Sequence, residues 1–197
     1  MLTRKSLASK KKVVEWQEIC LKPSHIHEVG LNFSSEEVAK TMETEEEELP
    51  EFFSVGFNEE RNYLSRGIIY FNLEEISQFD IHHAVFTLTT APTQLRRSLS
   101  FSLHTICEPF DIATLNHRWD IQPIYNSEEL CRTEVKGDFA KVSFNISNIV
   151  RSWVQGNIEN YGVCLKLFEE DEKRSKTFFG KSTIYRMPLL TVSYSEK

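Results

Sequence analysis

The chain has 197 residues, enough for one domain of ordinary size that buries a core without disulfide or metal staples. Fourteen Phe, six Tyr and three Trp supply that core, while only seven Gly and six Pro exclude a collagen-like or low-complexity chain. A net charge of −6 argues against general nucleic-acid binding, which needs a basic face, and no apolar run approaches the ~18 residues of a membrane span.

Residues 1–12 read as a basic N-terminal tail carrying Arg4, Lys5, Lys10, Lys11 and Lys12. No apolar segment follows these charges, so the pattern lacks the core of a secretory signal. The expectation is synthesis in the cytoplasm and an end point on a spore, cell or particle surface. Residues 13–197 read as a single β-sandwich domain. Val14, Trp16, Ile19 and Leu21 predict a first strand whose alternation slips near Gln17, as at a bulge. Val29, Leu31 and Phe33 predict a second. Residues 34–51 form an acidic excursion with Glu43, Glu45, Glu46, Glu47, Glu48 and Glu51. Calcium is the one cofactor this stretch suggests, although a bare glutamate run lacks the spaced Asp or Asn ligands and tight Gly turn of calcium loops.

Phe53, Val55 and Phe57 resume the strand period, and 58–65 reads as a polar turn. Residues 67–73 are apolar on both faces, as a central strand covered on each side would be. Ala84, Phe86 and Leu88 predict the next strand, and 91–98 a loop carrying Arg96 and Arg97. Leu99, Phe101 and Leu103 alternate with Ser100, Ser102 and His104, the pattern of a half-buried strand. Residues 107–127, with Trp119 and two prolines, predict a long irregular crossing of the kind that carries binding residues at the end of a sandwich. A weak strand follows at 130–136.

The most legible stretch is 141–166. Val142, Phe144 and Ile146 alternate as a strand. Ser147 is placed to cap a helix whose apolar face is Ile149, Val150, Trp153 and Val154, and Gly156 to end it in a left-handed residue. A two-turn helix is unstable alone, so Trp153 is expected to anchor it by burial against a sheet. Asn160-Tyr161-Gly162 reads as a turn into a strand with Val163, Leu165 and Leu167. A charged turn at 169–174, then Thr177-Phe178-Phe179 and 189–194, complete about ten strands. The predicted fold is all-β: an antiparallel two-sheet β-sandwich of jelly-roll type with one short helix.

The order and spacing of 149–156, Asn160-Tyr161-Gly162 and Pro188-Leu189-Leu190-Thr191-Val192-Ser193-Tyr194 resemble the "V-x-x-W-x-x-G", "N-Y/F-G" and "P-x-L-x-V-x-Y" pieces of the DNRLRE family. Those are β-sandwich modules of bacterial and archaeal surface proteins, also classed among carbohydrate-binding modules. The strand 66–73, the strand 84–89, and Trp119 with Pro123 resemble further family features, so the similarity spans roughly 52–194. The six-letter signature that names the family is absent, and the first fifty residues match poorly. The resemblance implies a non-catalytic sandwich that either builds surface assemblies or binds polysaccharide.

The chain has no G-x-S-x-G elbow, Gly-rich phosphate loop or H-E-x-x-H helix, so the reading is not an enzyme. His25 and His27 share a strand face, whereas alternation puts His82 and His83 on opposite faces. A metal there would need a third ligand that the sequence does not offer, so no metal residue is nominated. Ligand-binding candidates are loop aromatics and arginines: Trp119, Arg118, Tyr125, Arg96 and Arg97, with His117, Tyr63, Arg61 and Arg66 beside them. Trp153, Gly156, Asn160 and Gly162 are assigned structural roles. Cys20, Cys107, Cys131 and Cys164 are scattered without C-x-x-C spacing, which reads as free thiols or, on an exported particle, as a bond between subunits. Two uses compete: a structural or adhesive subunit of a spore, cell-surface or phage assembly, whose partner is another subunit, and a carbohydrate-binding module whose partner is a polysaccharide.

Overall fold

The computed structural model describes residues 15–32, 52–58, 62–91, 98–111, 117–118, 122–170, 176–180 and 186–197. Its strands are β1 (Gln17–Leu21), β2 (His25–Asn32), β3 (Phe52–Asn58), β4 (Tyr63–Tyr70), β5 (Phe79–Thr89) and β6 (Leu99–Thr105). They continue with β7 (His117–Arg118), β8 (Cys131–Val135), β9 (Lys141–Asn145), β10 (Val163–Leu167), β11 (Lys176–Gly180) and β12 (Leu189–Glu196). Among the described residues there is one α-helix, α1 (Ser147–Val154), between β9 and β10, and a single 3-10 turn, Glu74–Ile76, before β5. The predicted tail 1–12, the acidic excursion and the loop with Arg96 and Arg97 lie outside the described residues.

Two sheets stack. One runs β1-β12-β5-β9, and the other β11-β3-β4-β10-β6-β8, with β2 added beside β4. Every strand pairing is antiparallel except the short parallel step between β2 and β7. The chain alternates between the sheets, from β4 to β5 to β6 and from β8 to β9 to β10, which gives the all-β sandwich its jelly-roll character. β4 takes β2 along all eight residues, while β3 holds residues 63–65 and β10 holds 67–69 on its other edge.

The core follows from alternation. In β9, Val142 and Phe144 are buried between exposed neighbours. Phe53, Phe71, Phe86, Phe101, Phe144 and Phe179 are fully buried between the sheets. Phe71 meets Phe86 edge-on at 5.4 Å, and Phe101 meets Phe179 the same way at 5.4 Å, the geometry that the ring quadrupole favours. The helix covers one end of this core with Ile149, Val150 and Trp153.

Several expectations need correction. The central strand spans 63–70 rather than 67–73, and Tyr63 is drawn into it by pairing with both Asn32 and Asn58. The bulge is not at Gln17, since β1 pairs with β12 in unbroken register from Gln17 to Leu21. It lies in β5: Ser193 opposes His83 and Tyr194 opposes Ile81, leaving His82 as the extra residue. Ile81 and Ala84 are therefore both buried with two histidines between them, so His82 and His83 do not alternate between faces. Trp16 lies outside the strand, 66% exposed and stacked on His82 at 5.0 Å. Ser147 is not the helix cap. The cap position is Ile146, and the Asn145 side chain accepts the Ser147 N–H at 3.1 Å, which frees Ser147 Oγ to accept from the Ala84 N–H of β5 at 2.9 Å.

Candidate functional site

Ile69 faces the main core, so its neighbour Ile68 must face the other side of the same sheet, and it too is buried. A second, smaller apolar cluster forms there from Val29, Ile68, Ile106 and Cys164, with Phe110, Tyr125 and Tyr161 packed on it. Phe110 and Tyr125, from the described parts of the long crossing after β6, form its cover. Stretches 107–111 and 122–127 of that crossing are tied to each other and to the end of β6, with Cys107 N–H donating to Ile124 O and Asn126 N–H to Thr105 O, both at 2.8 Å. The half-buried pattern read from β6 is thereby corrected: Ser102 and His104 are buried as well, because this crossing covers the face they share.

Arg66 sits on that covered face. Its Nε donates to Glu170 Oε1 at 2.7 Å, its Nη2 to Glu170 Oε2 at 2.6 Å and its Nη1 to Gln122 Oε1 at 2.8 Å. The Tyr125 ring lies 5.2 Å from the guanidinium carbon. Lys166 Nζ adds a longer contact to Glu170 Oε2 at 3.4 Å. Burial alone would lower the Arg66 pKa, but the two-pronged bond to Glu170 outweighs it, and the group is held charged, above its usual value. Burial moves the Tyr125 phenol upward, so it stays neutral.

His104 stands edge-on to Tyr125 at 5.3 Å. Its Nδ1 lies 2.9 Å from the Asn126 carbonyl and its Nε2 3.0 Å from Ser102 Oγ. A carbonyl only accepts, so Nδ1 carries the proton, and Ser102 Oγ–H donates to Nε2. Burial holds this imidazole below its ordinary pKa. The Ser102 and His104 pair has the bond of a nucleophile and its base, but Ser102 Oγ lies under the crossing with the whole residue at 0% exposure, and an acyl group does not reach it. What the arrangement does chemically is fasten a loop to a sheet through an ion pair, an amide, a phenol and an imidazole.

Of the nominated ligand residues, Tyr125 is in this cluster, and Arg66 is its centre. β7 places the backbone of His117 and Arg118 beside Val29 and Gly30 at the rim of the same face. Trp119, Arg96, Arg97 and Arg61 lie outside the described residues. Tyr63 opens β4, its ring over Gly30. Glu170, Gln122, Ser102 and His104 were not nominated. The available signal was a Ser and a His at the outward positions of a strand that runs directly into a long aromatic loop.

Trp153 is buried against the main core at 8% exposure. Gly156 ends the helix at φ +70°, with its N–H bonded to Trp153 O and that of Asn157 to Ser152 O, the double closure of a Schellman turn. Asn160 Nδ2 donates to Phe71 O at 2.9 Å while its Oδ1 accepts the Gly162 N–H at 3.0 Å. Among the described residues no cluster of three His, Cys, Asp or Glu side chains could hold a metal, and no helix is long and apolar enough to cross a membrane. No protein-family model matches the chain, and no curated protein matches it.

Proposed function

We propose that this chain is a non-catalytic structural or adhesive β-sandwich subunit of a bacterial spore, cell-surface or phage assembly. The observation that supports this most is how its best-built polar cluster is used. The three Arg66 nitrogens donate to Glu170 and Gln122, so a strong cation is spent on tying the turn after β10 and the long crossing to the sheet. That makes a rigid block whose edges and loops are left to meet partners. The resemblance of 52–194 to DNRLRE modules points the same way. The test is sedimentation and electron microscopy over a range of concentrations: oligomers or fibres that grow with concentration are expected, and a strict monomer at the highest concentration refutes the reading.

One observation favours polysaccharide binding as the second reading. Two of the nominated residues, Arg118 and Tyr125, belong to the same crossing, which runs beside β2 and packs Tyr125 on the second apolar cluster. Retardation on affinity gels containing neutral and acidic polysaccharides, weakened by Trp119→Ala, is the expected result. Silence across both classes removes it.

A further inference from the structure

We propose that a second copy of this chain pairs with the first along β1, antiparallel about a two-fold axis at Cys20, so that the four-stranded sheet continues across both copies. This rests on the reading of the chain as an assembly subunit and names the contact. Among the described residues β1 pairs with β12 alone, whereas β9, at the other end of the same sheet, lies against β8 of the opposite sheet. A strand edge with N–H and C=O groups turned outward is a template for another strand.

The side chains of β1 select the occupant and the register. Glu18 and Cys20 are exposed, as is Lys22 just beyond the strand, while Ile19 is half-buried and Leu21 buried. Residues directly opposed across an antiparallel pair share a face, so the outward set of one copy must oppose the outward set of the other. An axis at Glu18 would bring two carboxylates together. An axis at Cys20 instead places Glu18 opposite Lys22 of the partner subunit, and the symmetry repeats that pair. It also sets Ile19 opposite the partner subunit's Leu21, which continues the apolar inner face. Pro23 follows with no N–H to give, so the ladder spans 18–22 and stops. The contact is isologous and uses the outer edge of β1 in both copies, which closes that contact at two copies.

The test uses the full chain in sedimentation velocity and in mild oxidation with diamide, which removes one hydrogen from each of two thiols. The expected result is a dimer whose cross-link joins Cys20 to Cys20 of the partner subunit, found by peptide mass spectrometry. Glu18→Lys alone and Lys22→Glu alone each weaken association about tenfold, and the two together restore it. Cys20→Ser loses the cross-link but keeps the sedimenting dimer. Oligomers that form without a Cys20 cross-link and ignore the charge swap overturn edge pairing and leave the assembly reading standing. A monomer at every concentration overturns both. A Cys20 thiol shielded from alkylation in the monomer shows that the chain's own segment occupies the edge, and overturns the pairing alone.

Discussion

Arg66 shows how a single residue can decide whether a loop belongs to a fold. Its side chain is 8% exposed and that of Glu170 is 17% exposed, so each charge depends on the other for the solvation it has lost. Arg66→Met is expected to cost about 3 kcal/mol in urea unfolding, because it strands a carboxylate that keeps only the longer Lys166 contact. Arg66→Met with Glu170→Leu should cost less than Arg66→Met alone, since no uncompensated charge is left. His104 gives the pH signature of the same cluster. Its folded pKa lies below the ordinary 6.5, so the unfolded chain binds the extra proton first. The stability it contributes is complete above about 6.5 and is lost as the pH falls from there through the folded value. Unfolding free energies measured between neutral and mildly acidic pH should show that slope in the wild type and a flatter one in His104→Gln. Glu170 could not be picked from sequence, since a glutamate in a charged turn looks like a solvated group, and for His104 the one signal was its outward position beside Ser102 on a strand that runs into a long aromatic loop. Their burial depends on where a distant loop comes to rest.

At the scale of elements, the strand, helix and turn between Lys141 and Leu167 were the most legible part of the chain, and the reason is local. Alternation, a helical apolar stripe, a left-handed glycine and an Asn turn all act within a few residues, and each agrees with the next. The errors fell where a neighbour decides. Ser147 is chemically a good cap, yet β5 offers its hydroxyl a backbone amide, and Asn145 takes over the helix end. The phase shift at His82 is set by pairing with β12, and nothing in β5 announces it. The two glycines of the unit separate local from tertiary demand. A Cβ on Gly156 would meet open space, so Gly156→Ala bears only the left-handed backbone and should cost about 1 kcal/mol. Gly162 has φ +92° and would bring a Cβ to 2.5 Å from the Ile69 carbonyl oxygen, which belongs to a paired strand that cannot give way. Gly162→Ala is therefore expected to cost about 2–3 kcal/mol, and paired thermal unfolding of the two variants checks the order.

For the whole molecule, sandwich class was readable because many short alternating stretches and polar turns leave few other ways to bury so many phenylalanines. Which face a loop would cover was not, because that depends on contacts far apart in the chain. The four cysteines report on that layering directly. Cys20 is exposed on the edge strand and Cys107 at the start of the crossing, Cys131 is half-buried in β8, and Cys164 is fully enclosed beneath the crossing. Loss of solvent pushes the Cys131 thiol up to about 11 and the Cys164 thiol up to about 12, so neither forms much of the thiolate that reacts. Iodoacetamide at mildly alkaline pH, with the protein dilute enough to be monomeric, should modify Cys20 and Cys107 quickly and Cys131 slowly. Cys164 should react only when the crossing lifts, at a rate that follows the unfolding equilibrium. Arg66→Met loosens the fastening of that crossing, so it should speed Cys164 labelling more than it speeds Cys131, which lies outside the covered cluster. Equal acceleration at the two thiols would mean that the crossing opens only with the whole sandwich, and the loop would then be part of the core rather than a lid on it.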